Sequence, residues 1–152
     1  DEEVCRVCKA AKPTARCQDC FGDDLLCAPC LVDRHVENPL HRIDIWDGKL
    51  FVKASLKNIG LRVQLGHRVH ERCPEPHVVH EEFIVLHKNG IHDIAVDLCD
   101  CENAENAGAP EIQMLRVGWF PATDDKPRTC ATMDMLDDFV IQTLQSKVTI
   151  QS

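Results

Sequence analysis

The stretch CRVCKAAKPTARCQDCFGDDLLCAPCLVDRHVENPLH, residues 5–41, decides the fold of this chain. It contains three cysteine pairs, each with two residues between its members, and two histidines follow them. Two thiolates at this spacing can reach one tetrahedral metal ion from a tight turn. The eight potential ligands in these 37 residues are enough for two zinc ions.

Four ligand pairs in series normally interleave, so that the first and third pairs share one ion and the second and fourth pairs share the other. We therefore predict a cross-brace. Its site one is Cys5, Cys8, Cys27 and Cys30, and its site two is Cys17, Cys20, His35 and His41. A sequential arrangement would use the same eight residues, and it stays open as an alternative.

Disulfides are a second interpretation, because ten cysteines are an even number and small extracellular domains use cysteine in this way. Disulfides do not explain why two histidines continue the series at ligand spacing. Metal-binding cysteines indicate a reducing compartment, the cytosol or the nucleus.

Length and charge limit the remaining possibilities. The chain has 152 residues, enough for one ordinary domain or two small ones that share an interface. Its apolar runs are far shorter than the roughly 20 residues that cross a bilayer, so no membrane span is expected. The formal net charge is −8, and non-specific binding to nucleic acid depends on lysine and arginine. Contact with DNA would therefore need a local basic patch.

One basic stretch meets this need. Between residues 49 and 72 the only acid is Glu71, and two histidines add to the basic side chains. A solvated surface is the commoner meaning of such a run, and DNA binding is the alternative. The candidate DNA-contacting residues are Lys49, Lys53, Lys57, Arg62, Arg68 and Arg72.

The periodicity of apolar residues after the first cluster predicts a mainly β region. Alternation over 42–46 and 61–65 predicts two strands, and a short helix is predicted between them over 53–59. Residues 78–86 and 91–98 flank Asn89-Gly90, a strong signal for a hairpin turn.

Two further elements are predicted towards the end of the chain. Residues 113–120 are apolar enough to form a strand. Residues 132–146 carry apolar side chains at helical spacing, which predicts a helix that docks on the sheet.

The predicted hairpin also indicates a third metal site. Cys73 precedes its first strand, while Cys99 and Cys101 follow its second, so that folding brings three thiols to its open end. His67 or His70 would supply the fourth ligand, and we favour His67 because the glycine before it lets the backbone turn the ring towards the ion. The predicted site three is therefore His67, Cys73, Cys99 and Cys101. Buried free cysteines are the alternative.

The sequence gives no sign of a catalytic site, and one cysteine lies outside the three predicted metal sites. Cys130 is expected to be structural or free. The three predicted sites each have four protein ligands, whereas a catalytic zinc keeps one position open for water. The sequence lacks His-Glu-x-x-His, Gly-x-Ser-x-Gly and a phosphate-binding glycine loop. No enzymatic activity and no small-molecule substrate are therefore expected.

The first cluster resembles a type-2 B-box, the zinc module of tripartite-motif proteins, over about residues 4–46. Cys8 stands where that family usually has histidine. This resemblance implies the cross-brace at the same eight positions. It also implies a role in protein interaction or self-association.

A wider set of motifs resembles the cysteine cluster domain at the N-terminus of Kyakuja-Dileera-Zisupton (KDZ) transposases. They are His-x3-Pro-Leu-His-Arg-Ile-x2-Trp-x-Gly at 35–48, Gly-Leu-Arg-Val-Gln-Leu-Gly-His-x5-Cys-Pro at 60–74 and Gly-Ile-His-x-Ile-x-Val-x2-Cys-x-Cys at 90–101. MLRVGWFPAT at 114–123 and LQSK at 144–147 are similar to the segment that leads into the transposase body.

The transposase resemblance implies a nuclear, non-catalytic accessory module that binds three zinc ions and recognises DNA ends or chromatin. It puts the same four residues in site three. We expect a small zinc-stabilised α+β domain. It would comprise a B-box-like or RING-like cross-brace at 1–46, a mainly antiparallel β region with the third zinc site at 47–130, and a C-terminal helix at 131–152. DNA is the expected partner, and a protein partner or a homodimer is the alternative.

Overall fold

The structure, a computed structural model, describes residues 3–123 and 126–151. It has a small α+β fold with mainly antiparallel sheets, as predicted. The strands are β1 (Ala15–Cys17), β2 (Ile43–Trp46), β3 (Phe51–Ala54), β4 (Arg62–Gln64), β5 (Pro76–Val78), β6 (Ile84–His87), β7 (Gly90–Asp93), β8 (Ala95–Cys99), β9 (Trp119–Pro121) and β10 (Thr129–Thr132). The helices are α1 (Ala28–Arg34), α2 (Ala104–Ala107), α3 (Pro110–Arg116) and α4 (Met133–Gln151).

The first sheet has the antiparallel order β1-β2-β3. Its inner face buries Ala15 and Ile43 completely, and Leu26 and Leu31 pack against them. Leu56 and Leu61 join the same core, as do metal-ligand candidates. We call this packed part, residues 5–61, the N-terminal unit. The predicted division after residue 46 stays a prediction, although β3 pairs with β2 across it.

The helix predicted over 53–59 is wrong. Residues 51–54 form β3 and pair with β2 from Trp46 opposite Phe51 to Ile43 opposite Ala54. Turns follow, and Gly60 takes a φ of +108°. The reason is tertiary, because pairing with a preformed strand outweighs a weak helical preference.

The hairpin lies at the predicted place but is divided between two sheets. His87 pairs with Gly90, so the turn residues are Lys88 and Asn89. The inner halves of the hairpin, β6 and β7, belong to the sheet β7-β6-β10-β9. The outer halves, β5 and β8, belong to the sheet β4-β8-β5. The N–H of Ile94 donates to the carbonyl of Phe83 at 2.9 Å, and this hydrogen bond links the two halves.

The strand predicted over 113–120 is also wrong for most of its length. Residues 110–116 form α3, and only Trp119 to Pro121 are extended. Proline in the first turn favours a helix because it has no N–H to satisfy there. Gly118, with a φ of +80°, follows the helix. Gln113 and Met114 make the inner, buried side of α3.

The C-terminal helix α4 is confirmed. Among the described residues, its expected docking on the sheet is limited to the first two turns, where Asp138 lies 3.5 Å from Lys88 of the hairpin turn. The hydroxyl of Thr132 accepts a hydrogen bond from the Met135 N–H at 3.2 Å and thereby caps the helix start. Residues 137–147 are all exposed. No helix in the described part of the chain combines the length and apolar character that a membrane span requires.

Candidate metal centres

Site one joins two chain segments of the N-terminal unit. Cys5 and Cys8 lie on the loop before β1, Cys27 is the residue before α1, and Cys30 lies within α1. The four sulfur atoms all lie within 4.8 Å of one another. The Sγ atoms of Cys8 and Cys27 are 3.7 Å apart, close to the edge of about 3.8 Å expected for four sulfurs around one zinc ion.

The charges at site one favour a bound cation. Backbone N–H groups, first that of Cys27 and then that of Cys8, lower the pKa of Cys5 to about 6. The neighbouring Cys27 thiol, followed by burial, raises the pKa of Cys30 to about 12. Four thiolates cannot coexist without compensating charge, and a divalent metal supplies it.

Site two is built from the ends of three elements. Cys17 ends β1, Cys20 follows it, His35 is the residue after α1 and His41 precedes β2. Their ligand atoms also lie within 4.8 Å of one another. His41 Nδ1 is 3.4 Å from both Cys17 Sγ and Cys20 Sγ, and a zinc ion shared by nitrogen and sulfur requires about 3.5 Å.

Hydrogen bonds outside this ligand set orient it. The Nδ1–H of His35 donates to the Leu31 carbonyl at 2.7 Å, which leaves Nε2 facing Cys20 Sγ at 3.2 Å. Burial lowers the pKa of His35 and thereby favours the neutral imidazole that binds metal. The N–H of Asp19 donates to Cys17 Sγ at 3.3 Å.

A polar junction connects site two to the hairpin. Asp19 accepts hydrogen bonds from the backbone N–H of Arg42 at 2.7 Å and from its guanidinium at 2.8 Å. The side-chain contact with Arg42 lowers the pKa of Asp19 to about 2. Asn89 donates to the Leu40 carbonyl at 2.8 Å. The hairpin turn therefore rests on the loop that carries His41.

Site three lies at the open end of the hairpin. Pro76 pairs with Cys99 at the end of β8, and this brings Cys73 beside Cys99 and Cys101. Cys99 Sγ and Cys101 Sγ are 3.4 Å apart, and His67 Nε2 is 3.5 Å from Cys101 Sγ.

The thiols of site three also have opposite pKa shifts. Burial acts to raise the pKa of Cys73, but the N–H groups of Asp100 and Glu75 outweigh it and lower the pKa to about 6. The N–H of Asn103 stabilises the Cys101 thiolate, yet burial and the neighbouring thiols raise the pKa of Cys101 to about 11. As at site one, a cation would resolve this competition.

Two residues support site three from outside the ligand set. A Cβ atom added at Gly66 would lie 2.6 Å from the Cβ of Cys99 and 2.9 Å from Gln113 Oε1. Gln113 is buried, accepts the Cys99 N–H at 2.9 Å and donates to the Gly108 carbonyl at 3.0 Å. The sequence interpretation missed this role of Gln113. The signal was a polar residue inside an apolar run, which a buried hydrogen-bonding position explains.

Two other candidates lie apart from the ligand clusters of the described residues. His70 is exposed, with a φ of +71°, and the histidine at site three is His67. Residues between 65 and 130 form a second hydrophobic core, separate from that of the N-terminal unit, and Cys130 is fully buried in it with Phe83 and Trp119. Burial raises the pKa of Cys130 to about 12, so this thiol stays protonated and packs as an apolar group.

The basic stretch does not form one free positive surface. Asp97, whose side chain is 5% exposed, accepts two hydrogen bonds from Arg62, at 2.9 and 2.6 Å. Arg72 lies 3.6 Å from the same carboxylate. Lys57 pairs with Asp93 at 2.9 Å. Two carboxylates from the hairpin therefore engage three of the six candidates, and Arg62 and Arg72 share one of them.

The other three basic candidates are better placed to meet an anion. Lys49 lies in the turn between β2 and β3, Lys53 lies on β3, and Arg68 follows β4. All three are exposed, and none forms an ion pair within 3–123 and 126–151.

The fold and the three ligand clusters define a small α+β domain with three groups of cysteine and histidine that could each hold a metal ion. The profile of the "CxC2 like cysteine cluster associated with KDZ transposases" matches residues 56–152, more than half of the chain. The chain belongs to this family. The matched range includes all of site three and begins after sites one and two. No curated protein and no solved structure matches the chain.

Proposed function

We propose that this chain is a zinc-binding, non-catalytic accessory module of a DNA transposase, and that it recognises DNA ends or chromatin in the nucleus. Membership of the cysteine cluster family associated with KDZ transposases carries this proposal. The exposed basic residues around the N-terminal unit and site three support the DNA-binding part of it.

The metal is proposed to be zinc, with one ion at each site. Sets of four cysteines, of two cysteines with two histidines, and of three cysteines with one histidine are typical of structural zinc. Sites one and two would form the cross-brace, since each set combines alternate pairs of the series. Four protein ligands leave no position for a reactive water, which is why we propose a structural role.

The DNA-binding surface is proposed to centre on Lys49, Lys53 and Arg68. Their charges are free to displace counterions from phosphate, whereas those of Arg62 and Arg72 are already engaged by Asp97. Exposed cations without an ion pair would allow an acidic chain with a net charge of −8 to bind DNA.

Replacing Lys49, Lys53 and Arg68 together with glutamine is expected to weaken duplex binding and its salt dependence. Each lost phosphate contact lowers the slope of log K against log salt by about 0.9, so the slope should fall by up to about 3. Fluorescence anisotropy with a labelled duplex, repeated over a range of salt concentrations, measures both quantities.

A control triple variant changes the net charge equally. Lys9, Lys88 and Lys147 are exposed lysines outside the proposed surface, and their replacement by glutamine should leave the slope nearly unchanged. If both variants lost the same affinity and the same salt slope, net charge would explain the effect and the proposed surface would not. No binding to any duplex at low salt would refute DNA recognition.

Self-association is a second candidate, and helix α4 favours it. Phe139, Val140, Ile141 and Leu144 are 67%, 54%, 53% and 56% exposed. Large apolar side chains grouped on one exposed element mark an interaction site more often than an ordinary surface. The proposed partner is the same helix of a second copy.

Replacing Val140 and Leu144 with serine is expected to convert a dimer into a monomer, because these two apolar side chains lie one turn apart on the same helix face and both are more than half exposed. Light scattering after size-exclusion chromatography gives the mass of each species. Gln142→Ser on the same exposed helix is the control and should remain dimeric. A wild-type protein that is monomeric at all concentrations would exclude this candidate.

A further inference from the structure

The outward face of the first sheet carries two adjacent aromatic rings. Strand register puts Arg16, Asp44 and Lys53 in one row and sets Trp46 opposite Phe51 in the next. The opposite face of the sheet is buried in the core of the N-terminal unit. Trp46 remains 37% exposed, so the aromatic pair lies on the surface.

The two rings hold each other in a fixed orientation. Their centroids are 5.1 Å apart at an interplanar angle of 63°, an edge-to-face contact. The Arg16 guanidinium lies 3.7 Å from the centre of the Phe51 ring. Phe51 therefore has a planar partner from its own chain, whereas Trp46 is the ring available to an outside partner.

Three cations (Arg16, Lys49 and Lys53) and two carboxylates (Asp44 and Asp47) lie around these rings, which leaves a small excess of positive charge. Lys53 follows Phe51 on the same face, Lys49 lies in the adjoining turn, and neither forms an ion pair with a described residue. Asp44 is buried, lies 3.4 Å from Arg16 and accepts a hydrogen bond from Gln18 at 2.9 Å. Asp47 accepts the N–H groups of its own turn at 2.8 and 2.9 Å.

A flat ring beside uncompensated lysines fits a ligand that combines a flat apolar surface with negative charge. Nucleotides have this chemistry. In a duplex the base faces are stacked inside, whereas in a single strand they are free to stack on a protein side chain. We propose that this aromatic face, Trp46 with Phe51, Lys49 and Lys53, binds unpaired nucleotides. This inference rests on the proposed DNA-binding function, shares Lys49 and Lys53 with the proposed duplex surface, and adds to them an aromatic ring that contacts unpaired bases.

Fluorescence provides a direct readout on the unmodified protein. The chain has two tryptophans, and Trp119 is only 4% exposed. Titration of the zinc-loaded chain with an oligothymidine should quench the emission of Trp46. In Trp46→Phe the remaining emission, from Trp119, should stay constant, while stacking on phenylalanine should preserve most of the affinity.

Trp46→Ala is expected to weaken oligothymidine binding by roughly tenfold, since one stacked base is lost, and to leave duplex affinity within about twofold. Phe21→Ala is the matched control. Phe21 is fully exposed on a loop that also carries Asp23 and Asp24, and its removal should change neither affinity.

The outcomes separate this inference from the function on which it rests. Unchanged oligothymidine binding by Trp46→Ala, or an unquenched wild-type emission, would overturn the aromatic face even if duplex binding persisted. An equal loss of single-strand and duplex binding would overturn it too, because the Trp46 ring would then not distinguish unpaired bases from a duplex. No binding to either DNA would refute both proposals.

Discussion

Cys27→Ser is expected to remove the metal from site one and to unfold the N-terminal unit. Cys27 is 3% exposed and packs in the same core as Leu26 and Ile43, so that the ligand and the core are lost together. Structural zinc binding contributes about 10–16 kcal/mol in small modules, comparable with the entire stability of about 5–15 kcal/mol of a domain. Native mass spectrometry should count two bound ions or fewer, and near-ultraviolet circular dichroism should lose intensity.

A cysteine outside the metal sites provides the control. Cys130 is fully buried in the second core, and Cys130→Ala removes its thiol without removing a proposed ligand. This variant should keep three ions and lose only the stability that a small cavity costs, about 1–3 kcal/mol. A Cys27→Ser protein that retains three ions would contradict the proposed site one.

The metal-substituted wild-type protein distinguishes the cross-brace from the sequential arrangement. Both arrangements give one site of four cysteines and one of two cysteines with two histidines, but Cys27 belongs to the first kind of site only in the cross-brace. Cadmium NMR of the metal-substituted protein separates the two kinds of site by their number of sulfur ligands. Scalar coupling of the Cys27 β-protons to the all-sulfur cadmium signal supports the cross-brace, and coupling to the mixed signal supports the sequential arrangement.

The metal-ligand clusters could be predicted because their signals are local. Cysteine pairs two residues apart point to a shared ion, and a turn signal near Asn89 predicts which distant thiols meet. The structure brings the same twelve residues together in three groups. The predicted family membership is confirmed, and so are the mainly antiparallel sheets and the C-terminal helix.

Other features depend on distant partners, which no local pattern specifies. Residues 51–54 form a strand because β2 lies beside them, and β10 pairs in parallel with β6 from far along the chain. The same limit applies to charge. The basic stretch suggests that Arg62 is a free cation. In the structure, however, it donates to Asp97, which is 35 residues further along the chain. Apolar content alone does not distinguish α3 from a strand, whereas Pro110 in the first turn favours a helix.

Gly66→Ala is expected to abolish metal binding at site three while the N-terminal unit stays folded. Gly66 has a φ of +77°, where a side chain costs about 1–2 kcal/mol. Its added Cβ would also lie 2.6 Å from the Cβ of Cys99, and overpacking adds about 1–3 kcal/mol. Native mass spectrometry should therefore count two ions instead of three, and thermal unfolding should begin at a lower temperature.

Gly60→Ala separates backbone strain from the steric conflict. Gly60 has a φ of +108°, and nothing lies within 4 Å of a Cβ built there, so the substitution imposes strain without overlap. This variant should keep all three ions and lose about 1–2 kcal/mol. The overlap at Gly66 cannot relax in the same way. Cys99 ends the central strand β8, and Gln113 holds its N–H at 2.9 Å, so a shift of Cys99 away from an alanine would displace a ligand sulfur. If Gly66→Ala retained three ions and unfolded like Gly60→Ala, the close packing of residue 66 against Cys99 would have no part in building site three.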